Sequence, residues 1–375
     1  MIAVPKILLL MSQYTGRGHM SIAEALSEQF ERMKDITLDV VDGFQFMGKQ
    51  GVRSSKIYNV VTRRARFMWK AAFSATQNNG FVPDAMGYLV EKRLDRYLRN
   101  TTPDLILTVH SRFVGSVLDT LERGGLDIPV VCVEADIVNI HSSWCDTRLL
   151  RAICPTDEAY RRSMEFGMPE EKLVRIGFPT RSQFCKSACA ASERSYDASR
   201  PLRCLMTGGG GGAGEIEDYV AALMYDTDVR LTVICGSNQK LKERLTQKFG
   251  IRFADRLRIL GFVSDMSSEY ELSDVAIMRA SPNCMFEAIV MGIPMIITGA
   301  LPGQEKDNPR FAVEHGLGVE CTDPEKLGAC IEALTAENGR RLNAMRAAQL
   351  AYRDLDSAHR IAEYVRGLLD AEREQ

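Results

Sequence analysis

The stretch RCLMTGGGGGAGEIEDYV, residues 203–220, runs a short apolar segment into five consecutive glycines and then into a helical pattern. So long a permissive loop opposes folding and calls for a compensating role. Placed between a strand and a helix start, its backbone N–H groups suit an anionic ligand that must approach closely. The loop lacks the Lys-Ser/Thr ending of a P-loop, which disfavours nucleotide hydrolysis of that type. The same order of strand, glycine turn and helix stands at the beginning of the chain, in KILLLMSQYTGRGHMSIAEAL, residues 6–26. One pattern occurring twice predicts two domains, which also fits a length of 375 residues.

Outward from these two starts, apolar runs of strand length alternate with helical patterns. Lys6–Ser12, Ile36–Asp42, DLILTVH (104–110) and IPVVCVEAD (128–136) read as strands of the first half. RCLMT, VRLTVICG (229–236), LRILGFV (257–263), DVAIM (274–278) and IPMIIT (293–298) read as strands of the second. Such alternation is the mark of parallel sheets built from βαβ units. The expected fold class is α/β, with two Rossmann-like doubly wound domains facing a cleft. The boundaries expected are 1–182, a small polar linker at 183–200, 201–350, and a C-terminal helix over 351–375 that packs back on the first domain.

Composition narrows the function. The chain is 45% hydrophobic and 26% charged with a net charge of −2, so nothing in its overall balance points to nucleic acid. Its first residues do not read as a signal peptide, because the apolar run is short and ends in a glycine turn. Ten cysteines are scattered singly without a C-x-x-C, which argues for free thiols and against a zinc site. The expected location is cytoplasmic. No metal or other cofactor is expected: Asp226-Thr227-Asp228 and Asp354-Leu355-Asp356 match Asp-x-Asp but read as surface.

Three further segments carry chemistry. In SPNCMFEA, residues 281–288, a turn opens a helix and offers N–H donors to a diphosphate, while the Glu287 carboxylate can accept from vicinal ribose hydroxyls. Downstream, Gln304, Glu305 and Asn308 supply acceptors and amide donors suited to sugar hydroxyls. In EADIVNIHSSW, residues 134–144, Asp136 follows a strand, where a carboxylate can take a proton from an attacking hydroxyl. An Asp capping the next turn would look the same. His19 stands at the first helix start and His110 ends another strand; a structural histidine fits either position. Between Asp42 and Asp84 there is no acid, and Lys49, Arg53, Lys56, Arg63, Arg64, Arg66 and Lys70 are interleaved with aromatic and aliphatic residues. That mixture suits an anionic membrane surface, and peripheral binding on the inner face of the cell membrane is expected.

Taken in order, TGRGHMSIAEAL, PDLILTVHS, ADIVNIHSSW, GGGGGAGEIE, VICGSN, GFVSDM, SPNCMFEAIVMGIP and PGQEKDN resemble the monogalactosyldiacylglycerol synthase and processive diacylglycerol glucosyltransferase family. That family is related to the lipid-linked N-acetylglucosaminyl transferases. The resemblance implies a glycosyltransferase-B fold and inverting transfer of a hexose from UDP-glucose or UDP-galactose to diacylglycerol or a similar lipid hydroxyl. It implies catalytic roles for Asp136 and His19. Donor contacts are implied for Gly208, Gly209, Gly210, Gly212 and Asn238, and for Phe262, Val263 and Met266. Ser281, Asn283, Cys284, Glu287, Gln304, Glu305 and Asn308 complete the implied donor side. Gly18, His110, His141 and Trp144 fall on the acceptor and lipid side. The pattern departs at Arg279–Cys284, Arg-Ala-Ser-Pro-Asn-Cys, where the family usually shows Lys-Ala-Gly-Pro-Gly-Thr. A UDP-sugar 2-epimerase, a nicotinamide oxidoreductase and a non-catalytic sugar-nucleotide binder are the competing readings.

Overall fold

The computed structural model of the chain describes residues 4–13, 18–47, 84–190, 194–208 and 216–373. Most of the basic stretch, residues 48–83, lies outside the described residues, and so do Gly16, Gly209, Gly210 and Gly212.

Two compact units emerge. The first comprises Met1–Arg181, Pro302–Gln304 and Asp356–Gln375. Its six strands are β1 (Lys6–Met11), β2 (Thr37–Asp42), β3 (Leu105–Thr108), β4 (Val130–Val133), β5 (Arg151–Cys154) and β6 (Leu173–Arg175). They form one parallel sheet in the order β2-β1-β3-β4-β5-β6. Helices α1 (Gly18–Phe30), α2 (Asp84–Thr101), α3 (Ser111–Gly124) and α4 (Asp157–Glu165) supply crossovers. Strands covered on both faces must be apolar throughout, which is why KILLLM, LILT and VVCV are unbroken apolar runs apart from Lys6 and Thr108.

The second unit comprises Ser182–Leu301 and Glu305–Leu355. It opens with α5 (Ser182–Ala190) and holds β7 (Arg203–Thr207), α6 (Ile216–Asp226), β8 (Arg230–Ile234), α7 (Gln239–Leu245) and β9 (Leu257–Leu260). It continues through α8 (Met266–Glu271), β10 (Val275–Met278), α9 (Pro282–Met291), β11 (Met295–Ile297), α10 (Asn308–Glu314), β12 (Gly318–Glu320) and α11 (Leu327–Tyr352). The sheet is again parallel and six-stranded, in the order β12-β11-β10-β7-β8-β9.

Two stretches differ from the sequence expectation. Part of the expected linker is helical: α5 packs on α9 and α8, with Phe184 fully buried against the Tyr270 ring at 5.9 Å. The C-terminal helix expected over 351–375 starts later, at Ser357. Ala336–Gly339 leave helical geometry inside α11, and a further break at Arg353–Asp356 precedes α12 (Ser357–Arg373). This last helix returns to the first unit. It packs against α1, buries Ile361, Val365 and Leu369, and joins Arg366 to Asp35 and Ser357 Oγ to the Phe178 carbonyl at 2.6 Å. Each such side chain contributes about 1.5–3 kcal/mol by leaving water.

Candidate functional site

Ligands of open α/β sheets sit where neighbouring strands send their connections in opposite directions. In the first unit that point lies between β1 and β3, where Leu10 pairs with Thr108. The chain leaving β1 reaches Gly18 and His19 at the start of α1, and the chain leaving β3 reaches His110. The two imidazoles stack with centroids 4.2 Å apart. His19 Nδ1 donates to the Val109 carbonyl at 2.7 Å, which leaves Nε2 as the lone-pair nitrogen of the neutral ring. Burial pushes the His19 pKa down to about 4, against the raising effect of that carbonyl. His110 caps α3: its Nδ1 accepts the Arg112 N–H at 3.2 Å, and its ring packs on Phe113 and Phe44. Burial holds His110 well below its usual range, and the neighbouring His19 and Arg112 add to the effect. Both histidines are therefore neutral at pH 7.

On the next strand beyond β3, Asp136 follows β4 with 7% of its surface exposed. Its carboxylate is aimed by two donors. Trp144 Nε1–H reaches Oδ2 at 2.8 Å, and Gln304 Nε2–H reaches Oδ1 at 3.2 Å. Trp144 is itself 1% exposed, so it acts by holding the carboxylate from within the unit rather than by presenting a free ring. His141 caps the short turn Ser142–Trp144, its Nδ1 accepting the Ser143 N–H at 3.1 Å, and burial lowers its pKa. The His141 cap, the turn and Trp144 thus form one device that delivers an indole N–H to Asp136. The loop is pinned again where Thr156, the N-cap of α4, donates its hydroxyl to the Ile137 carbonyl.

In the second unit the corresponding point lies between β7 and β10, where Thr207 pairs with Met278. Gly208 follows the first of these strands and Arg279–Cys284 the second, so Gly208 and the turn leave the sheet side by side. Ser281 is the N-cap of α9 but makes no side-chain cap bond, with Pro282 at the first helical turn. Asn283 and Cys284 follow on that turn, and burial pushes the Cys284 thiol up to about 11. Glu287, 9% exposed, stands one helical turn further. Glu305 and Asn308 brace the turn from behind. Glu305 accepts the Leu301 N–H at 2.7 Å and pairs with the Arg279 guanidinium at 3.3 Å. Asn308 Nδ2–H donates to the Ala280 carbonyl at 2.9 Å, while its buried Oδ1 has no partner among the described residues. Asn238 caps α7 through the Leu241 N–H, Phe262 is 57% exposed, and Val263 and Met266 are half-buried.

Sequence reasoning passed over three residues that the structure brings to the fore. Arg279 is the cation held at the α9 turn by Glu305. Ser163 and Glu134 form a buried pair beneath the Asp136 loop, with Ser163 Oγ–H donating to Glu134 Oε1 at 2.7 Å. The visible signal for Glu134 was an acid inside the apolar run VVCVEAD. Among the described residues, no group of three His, Cys, Asp or Glu side chains stands together as metal ligands do, and no helix is long and apolar enough to cross a membrane.

Comparison with known proteins bears on the fold and the family. Residues 19–180 match the family model for monogalactosyldiacylglycerol synthase, and residues 216–337 match that for glycosyl transferases group 1. A probable monogalactosyldiacylglycerol synthase 2, chloroplastic, of Oryza sativa subsp. indica is 30% identical over 350 residues, covering 86% of this chain and 72% of that protein. Monogalactosyldiacylglycerol synthase 2, chloroplastic, of Arabidopsis thaliana is 27% identical over 347 residues, covering 87% and 72%. In fold, the chain is similar to Acinetobacter baumannii MurG, with a TM-score of 0.66, 16% identity and coverage of 97% and 100%. It is also similar to S. aureus MnaA solved with UDP, with a TM-score of 0.63, 15% identity and coverage of 98% and 97%. With its two parallel six-stranded sheets and these relatives, the chain belongs to the monogalactosyldiacylglycerol synthase family, glycosyltransferases of glycolipid synthesis with the GT-B fold.

Proposed function

We propose that the protein transfers a hexose from a UDP-sugar to the free hydroxyl of diacylglycerol with inversion at the anomeric carbon. The observation that carries this reading is the Asp136 carboxylate, aimed by Trp144 and Gln304 at the carboxyl end of a parallel sheet. The acceptor oxygen attacks the anomeric carbon as the bond from that carbon to UDP breaks. The acceptor proton passes to Asp136, and UDP leaves with the bonding electrons. Growing charge on UDP is met by the α9 N-terminus and by Arg279, so the reading needs neither metal nor cofactor. Similarity to monogalactosyldiacylglycerol synthases supports galactose as the sugar, with UDP-glucose as the competing donor. Neutral His19, with its Nε2 lone pair set by the Val109 bond, supports a second reading in which the imidazole receives the proton. The lipid acceptor and the basic residues 49–70 together support peripheral binding to an anionic membrane surface.

The test is release of UDP from UDP-galactose, UDP-glucose and UDP-N-acetylglucosamine, each with and without diacylglycerol vesicles. Lipid-dependent release that Asp136→Asn abolishes while UDP still binds is the expected result. Normal turnover by Asp136→Asn moves the base to His19. Conversion of a UDP-sugar to its epimer without lipid overturns the transferase reading. Equal sedimentation with neutral and phosphatidylglycerol vesicles overturns the electrostatic part.

A further inference from the structure

Glu134 ends β4, two residues before Asp136, and is wholly buried. Its backbone N–H is fixed to the Ile153 carbonyl at 3.0 Å. Oε1 accepts the Ser163 hydroxyl of α4, while Oε2 has no hydrogen-bond partner among the described residues. The groups around it come from four elements: the Cys132 thiol on β4, the Cys154 thiol on β5, the Cys145 thiol beyond the Trp144 turn, and Ser163 on α4. Burial keeps all three thiols protonated. Arg162 of α4 acts on Cys145, and the charge that acts on Glu134 itself is the like charge of Asp136. A carboxylate with one bare oxygen and an anion for a neighbour is costly in such surroundings, whereas a carboxylic acid is not. Burial first, and Asp136 after it, push the Glu134 pKa up to about 8, against the opposing bonds of Ser163 and Cys154.

We propose that Glu134 is a positioning residue that works as a neutral acid: only the uncharged carboxyl can stay buried beneath the loop carrying Asp136, and loss of its proton, which leaves a charged Oε2 without a partner among the described residues, disrupts that packing and stops transfer. The proposal rests on the reading of Asp136 as the base. An ionised Glu134 has to find water for Oε2. The chain that moves with it is the two-residue tether to Asp136, whose carboxylate then leaves the Trp144 N–H. The device acts through Asp136 and touches no substrate.

The experiment is turnover against pH from 6 to 10 for the parent protein, Glu134→Gln and Ser163→Ala, paired with infrared difference spectra of the parent and Glu134→Gln between pH 6 and pH 9. The parent is expected to lose turnover with a midpoint near 8. Glu134→Gln, which keeps an uncharged side chain at every pH, is expected to lose that alkaline limb. Ser163→Ala, which removes a bond that favours the ionised form, is expected to move the limb to higher pH. The parent spectrum is expected to show a protonated-carboxyl carbonyl band at pH 6 that fades at pH 9 and is missing in Glu134→Gln. The same midpoint in parent and Glu134→Gln, or no such band in the parent, overturns the proposal. Failure of the underlying reading is distinguishable: Asp136→Asn then turns over normally, while the infrared band still reports the Glu134 proton.

Discussion

Trp144→Phe isolates the hydrogen bond that aims the Asp136 carboxylate, because it keeps an aromatic ring in the pocket and removes only the donor and part of the volume. The bond is 2.8 Å long and both residues are buried, so water is a poor substitute for the lost N–H. A hydrogen bond to a charged group is worth about 1.5–3 kcal/mol. If the carboxylate must be held in that orientation to receive the acceptor proton, the same energy appears in the barrier. Turnover then falls by about tenfold to a hundredfold, at 1.4 kcal/mol per factor of ten. The KM for UDP-sugar should stay within about twofold, since the bond is made in free and bound enzyme alike. Removing ring volume from a fully buried position adds about 1–3 kcal/mol of lost packing. That loss is independent of the carboxylate, and a double-mutant cycle separates the two. Urea unfolding of the parent protein, Trp144→Phe, Asp136→Ala and the double variant should give a coupling of about 1.5–3 kcal/mol. A coupling below about 0.5 kcal/mol, together with turnover of Trp144→Phe within about threefold of the parent, refutes the idea that the indole holds the base.

Three other outcomes follow from the geometry. Burial alone would raise the Asp274 carboxyl, but its bonds to Arg200 and Arg203 bring it down to about 2, so its stabilising contribution is present above about 3.8 and is lost as pH falls through about 2; Asp274→Asn should cost about 2 kcal/mol at pH 7 in urea unfolding and flatten acid unfolding over that window. Because burial lowers His19 to about 4, the unfolded chain binds more protons between there and the ordinary histidine value of about 6.5; stability should therefore rise with pH across that interval, and His19→Gln should reduce the slope in thermal melts recorded at each pH, leaving the part that the lowered His110 and His141 contribute. Glu305→Ala frees both the Arg279 guanidinium and the Leu301 amide; UDP affinity measured by calorimetry should fall about tenfold, about 1.4 kcal/mol, and an unchanged affinity would detach this ion pair from donor binding.

The framework of the fold is legible in the chain because buried parallel strands have to be apolar along their whole length. Apolar runs such as KILLLM, RCLMT and VAIM are found without structural information, and the observed bounds fall within a few residues of those read. The strands that escaped notice are Arg151–Cys154, Leu173–Arg175 and Gly318–Glu320, three or four residues each and carrying arginine, glycine or glutamate. So short a run has too few positions to show a period. The helix Ser182–Ala190 was hidden for another reason: its Ser, Cys and Ala residues look like linker composition, and only Phe184 hints at a buried face. At the candidate site, the positions of Asp136 and His19 after strands could be read locally. Their partners could not. Gln304 meets Asp136 across 168 residues of sequence, and Val109 meets His19 across 90. Glu134 could be noticed as an acid in an apolar run, yet its protonation depends on burial and on Ser163 and Cys154, which only the folded sheet gathers.

The return of Ser357–Arg373 to the first unit has a consequence for biosynthesis. On the ribosome, the segment bearing His19 and Asp136 emerges early, but the helix that covers α1 emerges only after all of Ser182–Leu355 has been made. At typical elongation rates that delay is roughly ten to thirty seconds. Throughout it, the groove later filled by Ile361, Val365 and Leu369 stays open to chaperones and to other nascent chains.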